Sequence, residues 1–293
     1  MTLFADLENI VKRDEPMAGH TWFRLGGPAK YYIEPNSPEQ LKEVVKRCRD
    51  HDVDVYVLGR GSNLLIADAG IDGAVVRLSD PCFSKIRFDD NKVYAGAGVN
   101  LSTLLTECAK KGFTGLECLA GIPGSVGGAV RINAGGSFGD IGNVCESVTL
   151  MDSSGYTFTR SKGDILFGYR TTNILARFVL EAELQLMSDD PERIAKMIKE
   201  VWMLKKSSQP MNSRNAGCIF KNPRAISAGA LIDKAGLKGA RVGGACVSHR
   251  HANFIMAEDG CTATDVMQLI ETVQNKVKDR FDIDLELELE IWQ

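Results

Sequence analysis

Apolar residues recur every three to four positions in some stretches and every second position in others. After Ser37-Pro38-Glu39-Gln40, the side chains Leu41, Val44, Val45 and Cys48 fall on one helical face. The serine, the proline one place on and the glutamine three places on read as a capping box with proline in the first turn. The same period predicts helices over Leu101–Lys110, from Pro191 to about Lys206, near Ala228–Ala235 and over Thr264–Phe281, and a short amphipathic helix over Leu3–Val11. Strands are expected at Ala29–Glu34, Val53–Leu58, Gly73–Leu78, Lys85–Phe88, Lys92–Ala95, Phe178–Met187 and near Asn253–Met256, and GCIFKNP is strand-like. Ser147–Asp152 and Thr157–Arg160 form a hairpin about Ser153-Ser154-Gly155. In the closing IDLELELEIW, Asp284, Glu286, Glu288 and Glu290 share one face of a strand, where solvation is the ordinary fate of acids.

A chain of 293 residues holds two domains. The expected division is an α/β part over 1–190, with two subdomains and the N-terminal helix, and a part over 191–293. The net charge of −3 argues against an electrostatic grip on nucleic acid. No run approaches the roughly 20 apolar residues of a spanning helix, so no membrane partner is expected. The eight cysteines show no CxxC spacing, and the start lacks the pattern of a secretory leader. Together they imply reduced thiols and a cytoplasmic location. His249-Arg250-His251 has no matching cysteines or carboxylates, so no metal is expected.

The chemistry centres on glycine. Between Gly115 and Gly142 stand PGSVGG and NAGG, long runs of backbone without bulky side chains. Such backbone lets another molecule approach closely, and successive amides pointing one way make an anion cradle. Gly121, Gly124, Gly127 and Gly128 surround Ser125 in this way, and Gly59-Arg60-Gly61-Ser62-Asn63 offers a second loop after a strand. No G-x-G-x-x-G opens a helix, and no Gly-Lys pair marks a P-loop. Taken separately, each loop is also compatible with ordinary glycine-rich turns.

Taken together, VLGRGSNLLIAD and LECLAGIPGSVGGAVRINAGGSFG closely resemble the FAD-binding domain of the UDP-N-acetylenolpyruvoylglucosamine reductase family, whose fold is shared with vanillyl-alcohol oxidase and p-cresol methylhydroxylase. HTWFRLGGPA, FGYRTT, AGCIFKNP, AGALIDKAGLKGARVGGACVSHRHANFIM and LELELEIW resemble further blocks in the family's order, from about His20 to Trp292. The resemblance implies an α+β fold: an FAD-binding domain of that type, then a C-terminal α+β substrate-binding domain. It implies non-covalent FAD, NADPH as hydride donor, a nucleotide-sugar substrate and no obligate protein partner. The reaction would be reduction of an enolpyruvyl group to lactyl, with hydride to C3 and a proton to C2, in peptidoglycan precursor synthesis.

Residue by residue, the arginine of the family's F-x-Y-R motif falls on Arg170, the proton donor on Cys218, and the glutamate, second acid of L-E-x-E, on Glu288. The flavin is expected on Gly59, Arg60, Gly61, Ser62, Asn63, Gly121, Ile122, Pro123, Gly124, Ser125, Gly128 and Asn133, and the substrate diphosphate on Lys221, Asn222 and, more weakly, Lys238. Arg170 can hold a carboxylate with its planar fork. A cysteine thiol ordinarily titrates near pH 8.5, so it is a protonated donor at neutral pH. Glu288 either is protonated or acts through Arg170.

Four departures stand out. Cys218 replaces the family's usual serine, Thr172 a common serine, and Arg131 an apolar residue. The chain also resembles the shorter branch of the family, without its tyrosine-bearing insertion. An oxidase of the same fold and a non-catalytic flavin or nucleotide-sugar binder are the competing readings. The glycine loops carry no histidine for covalent flavin, and the trio Arg170, Cys218 and Glu288 speaks against a mere binder.

Overall fold

The structure, a computed structural model, describes residues 3–223 and 226–293. Its helices and strands make an α+β chain with two compact units whose segments interleave in sequence. Met1–Arg13, Tyr31–Arg60 and Gly73–Lys205 form the first unit; Asp14–Lys30, Gly61–Asp72 and Lys206–Gln293 form the second. The expectation of one boundary at 190/191 thus differs from the observed grouping. Hydrophobic pattern shows that a residue is buried, not in which core. Phe23, Leu25 and Leu65 are buried in the same cluster as Phe220, Leu231 and Leu269.

The first unit contains a five-stranded antiparallel sheet in the order Thr157–Ser161, Cys145–Met151, Phe178–Gln185, Lys92–Gly96, Ile86–Asp89. A register shift between Thr149 and Leu150 passes over Leu180 of the partner strand, and Leu150 and Met151 are both buried. Val55–Leu58 pairs in parallel with Ile71–Arg77, in register from Val55↔Ala74 to Leu58↔Arg77. Helix α1 (Pro38–Asp50) buries Leu41, Val44, Val45 and Cys48, the face its spacing predicts. Ser37 Oγ accepts from Gln40 N at 3.2 Å, but Gln40 Oε1 reaches Asn36 N at 3.1 Å, one residue before the cap. Helix α2 (Leu101–Lys110) and the short α3 (Val126–Arg131) follow, and α3 lies against Phe178–Gln185. Helix α4 (Pro191–Ser208) starts where Asp190 Oδ1 accepts from Glu192 N and Arg193 N at 2.9 and 3.0 Å.

The N-terminal helix is not formed. Phe4, Leu7 and Ile10 are buried at a spacing of three, but on successive turns closed by Leu7 N→Phe4 O and Ile10 N→Leu7 O, both 3.0 Å. Val11–Pro16 is then a strand.

The second unit holds a three-stranded antiparallel meander, Arg241–Val242, Ala245–Val247 and Ile255–Ala257, with α5 (Ala228–Lys234) and α6 (Ala263–Phe281). Thr262 and Asp265 form a reciprocal capping box on α6, and Asp68 accepts from Ala263 N and Thr264 N at 2.8 and 2.9 Å. Leu64–Ile66 pairs in parallel with Glu290–Trp292. The acidic closing segment is a strand only at Glu290–Trp292, and GCIFKNP makes one bridge, Phe220↔Leu287, rather than a strand.

Candidate active site

In the first unit the loop Gly121–Ser125 and the start of α3 are tied by backbone bonds to Ala97–Leu101. Leu101 N donates to Gly124 O, Val126 N to Val99 O and Gly127 N to Ala97 O, at 2.9–3.0 Å. Ser125 caps α3, its Oγ accepting from Gly128 N at 3.4 Å. The glycines here have different reasons. Gly121 needs φ 74°. At Gly127 a Cβ would lie 2.9 Å from Ala97 Cβ, so glycine permits close packing. Gly128 is exposed, lacks positive φ, and a Cβ there would meet only Ser125 Oγ at 3.5 Å, so the chain itself does not require glycine. At Gly59 a Cβ would fall 2.9 Å from that same Ser125 Oγ, so Gly59 and Ser125 adjoin. Ile122 and Pro123 are half-buried and Arg60 is exposed.

Beneath this loop lies Lys205 of α4. Its Nζ donates to Cys118 O at 3.1 Å and Ala120 O at 2.6 Å, and its Cδ stands 3.3 Å from where a Gly121 Cβ would be. Burial pushes this ammonium down to about 8. The charge of Lys205 thus holds two carbonyls just before the glycine loop.

Arg170 occupies a tight turn. Phe167–Gly168 and Thr171–Thr172 pair antiparallel, leaving Tyr169 and Arg170 as the two turn residues. Arg170 sits at φ 56°, a conformation uncommon outside glycine and asparagine, and its Nη2 donates to Gly135 O at 2.7 Å. Arg131 explains itself here: Nη1 donates to Ile174 O at 2.9 Å and Ala176 O at 2.7 Å, while its own carbonyl accepts from Thr172 Oγ1 at 3.0 Å. An arginine at the end of α3 thus secures the chain just after the turn. Asn133, also expected at the flavin, is 2% exposed, and its carboxamide is bonded to Gly168 O and Gly142 N.

In the second unit Cys218 and Glu288 are brought onto adjacent segments. Ile219 O accepts from Glu288 N at 2.9 Å and Leu289 N at 3.2 Å, and Lys221 N donates to Glu286 O at 2.8 Å. Asp284, Glu286 and Glu290 are exposed, whereas Glu288 is half-buried, as is Cys218. Asn253, missed by the sequence reading, fixes the Cys218 segment. Its O accepts from Ile219 N at 2.9 Å, its Oδ1 from Phe220 N at 3.0 Å, and its Nδ2 donates to Phe220 O at 2.8 Å. The available signal was a lone asparagine inside the apolar run HANFIM. Asn63 Nδ2 donates to Glu288 O at 2.9 Å. Gly61 is glycine for the sake of its own chain: at φ 62° a Cβ would lie 2.1 Å from His20 O. Ser62 is half-buried. Lys221 and Lys238 are ion-paired with Glu286 and Asp233, and Asn222 Oδ1 accepts from Ala228 N at 3.0 Å.

Glycine at Gly128, where the chain sets no demand, leaves exposed backbone in the first turn of α3, room of the kind a bound dinucleotide needs. Among the described residues there is no cluster of three His, Cys, Asp or Glu able to hold a metal, and no helix long and apolar enough to cross a membrane. Residues 29–161 match a family model described as an FAD binding domain, which makes the chain a flavoprotein of that domain class. Residues 209–292 match the model for the C-terminal domain of UDP-N-acetylenolpyruvoylglucosamine reductase. The enzyme of that name from Clostridium tetani is 40% identical over 289 residues, covering 97% of this chain and 94% of its own. That from Bacillus velezensis is 39% identical over 284 residues, covering 96% and 93%. The crystal structure of the enzyme from Thermus caldophilus superposes with TM-score 0.83 at 36% identity, covering 97% and 98%. The chain belongs to the UDP-N-acetylenolpyruvoylglucosamine reductase family.

Proposed function

We propose that Arg170, Cys218 and Glu288 carry the reaction of this chain, an FAD-containing, NADPH-dependent oxidoreductase that reduces UDP-N-acetylglucosamine enolpyruvate to UDP-N-acetylmuramate. FAD, when bound, would supply the hydride chemistry that links NADPH to C3 of the vinyl group. The product is a peptidoglycan precursor, and we place the reaction in the cytoplasm, which suits eight cysteines of which none is disulfide-bonded.

Gain of hydride at C3 leaves negative charge on C2 and the carboxylate. Arg170 holds that carboxylate through two parallel N–H bonds, a geometry lysine lacks. Its turn is fixed at both ends, so little ordering remains to be done on binding. Cys218 gives its thiol proton to C2: the S–H bond breaks, a C–H bond forms, and the thiolate is reprotonated by solvent. Glu288 can stabilise the developing anion directly only as the protonated acid, by donating an O–H to it. The flavin would lie against the exposed backbone at Gly128 and the half-buried Gly59 and Gly124, beside Ser125. The sugar diphosphate meets Lys221, Asn222 and Lys238, the lysines exchanging Glu286 and Asp233 for phosphate.

The observation that supports these roles is the pairing of the Cys218–Lys221 segment with Glu286–Leu289, which makes neighbours of the two segments that carry Cys218 and the half-buried Glu288. The test is anaerobic. The flavin is reduced with NADPH, and the enolpyruvyl substrate is then added. Reoxidation by substrate is expected. A flavin reoxidised only by oxygen would support the oxidase reading instead, as would flavin left on the denatured chain.

A further inference from the structure

Asn133 lies two residues past the end of α3 at Arg131, yet its side chain is buried. It is 2% exposed and stands at φ 48°, a conformation that asparagine tolerates better than most residues. Its carboxamide has one unambiguous orientation, because both partners are backbone groups. Nδ2 donates to Gly168 O at 2.9 Å, and Oδ1 accepts from Gly142 N at 3.0 Å. Gly168 is the residue paired with Thr171 across the turn that presents Arg170. Arg170 itself returns to the same segment, donating to Gly135 O two residues past Asn133. The turn is therefore held to the glycine segment at its base by Asn133 and at its tip by Arg170's own guanidinium.

We infer that Asn133 is a positioning residue for Arg170: its buried carboxamide fixes the base of the Tyr169–Arg170 turn and so sets the angle at which the guanidinium meets the substrate carboxylate. This inference rests on the reading of Arg170 as the carboxylate clamp. It replaces the expectation that Asn133 touches flavin. Breaking the Gly168 bond leaves that carbonyl without its partner and frees the turn to rotate about Gly168, while Gly124 O stays bonded to Leu101 N, and Val126 N and Gly127 N to Val99 O and Ala97 O.

The informative variant is Asn133→Asp. Aspartate tolerates the same φ and keeps the acceptor toward Gly142 N, but it sets an oxygen against Gly168 O. Three quantities are read: FAD affinity of the apoprotein, the rate of flavin reduction by NADPH, and affinity of the oxidised enzyme for product against UDP-N-acetylglucosamine, which lacks the lactyl carboxylate. FAD affinity and reduction rate are expected within about threefold of wild type. Product affinity should fall at least tenfold while UDP-N-acetylglucosamine affinity holds, and flavin reoxidation by substrate should fall 30-fold or more. Asn133→Gly, which keeps the backbone conformation and loses both bonds, should behave alike and serves if the aspartate variant does not fold. A tenfold loss of FAD affinity in both variants overturns the inference, as does equal weakening of both nucleotide sugars. Arg170→Lys is run beside them. If it loses product discrimination and Asn133→Asp does not, the positioning role of Asn133 alone is refuted; if Arg170→Lys retains discrimination, the clamp reading has failed.

Discussion

Adding a single methyl at Gly128 separates two reasons for a glycine. Position 128 lacks positive φ, sits in the first turn of α3, and would place Cβ 3.5 Å from Ser125 Oγ, an ordinary contact. Alanine there should therefore stabilise the apoprotein by a few tenths to about 1 kcal/mol through helix propensity and a less flexible unfolded chain. For a protein this size that is a Tm gain of about 1–4 °C. If FAD packs on this backbone, the same methyl overfills the contact, and overpacking by a methyl costs about 1–3 kcal/mol. That is a 5- to 150-fold weaker Kd, at about 1.4 kcal/mol per factor of ten. Gly61→Ala is the counterpart. Its φ of 62° costs about 1–2 kcal/mol in a left-handed conformation. Its Cβ would lie 2.1 Å from His20 O, and the strain endangers the 2.9 Å bond from Trp22 N to Gly61 O, worth about 1 kcal/mol. The apoprotein should lose about 2–4 kcal/mol. Both variants are stripped of flavin, unfolded by heat, and titrated with FAD while its fluorescence quenches. Gly128→Ala with wild-type FAD affinity refutes the placement of the cofactor against α3.

Arg170→Lys keeps charge but not the fork, and should lower the rate of flavin reoxidation by substrate 100-fold or more with flavin content unchanged; full turnover in this variant removes the clamp role. Cys218→Ala should be reduced by NADPH at a nearly normal rate yet lose about 10²–10⁴-fold in flavin reoxidation by substrate, with Cys218→Ser restoring most of it; wild-type reoxidation in the alanine variant would move proton donation to Glu288 or water. Lys205 titrates near 8 instead of 10.5, so between those values the unfolded chain binds more protons than the folded one, and the lysine's burial penalty fades as pH rises from 8 to 10.5. The urea-derived stability of wild type relative to Lys205→Met should rise over that window by at most about 3 kcal/mol, and a flat difference between the two would show the ammonium is not buried in solution.

The helices whose spacing carries both a cap and a face were legible: α2 runs from Leu101 to Lys110 as expected, and α1 buries its four predicted side chains. The Leu3–Val11 helix was not, because a spacing of three serves two successive turns as well as a helix, and nothing local to Phe4 and Leu7 distinguishes them. The glycines were legible as important but not as to cause. The same letter marks backbone strain at Gly121, close packing at Gly127, a neighbouring carbonyl at Gly61 and open surface at Gly128. Arg170, Cys218 and Glu288 came from the family resemblance, since no pattern of charge or spacing singles them out. The asparagines behind them, Asn63, Asn133 and Asn253, act on carbonyls distant in sequence, by 225 residues in the first case, and such pairings are invisible without coordinates.

The pairing of Leu64–Ile66 with Glu290–Trp292 also sets an order of events during synthesis. A chain emerges from the ribosome at about 5–20 residues per second, so the earlier strand precedes its partner by roughly 10–45 s. Throughout that interval Leu64, Leu65 and Ile66, all buried in the finished protein, lack the strand that lies beside them. The same holds for Phe23 and Leu25, whose core companions Ile219 and Leu269 are translated far later. The nascent protein thus carries an apolar debt at its beginning that only its last residues settle. Holdase chaperones have a defined window in which to shield it, and fragments stopping short of Glu290 should be sticky rather than merely inactive.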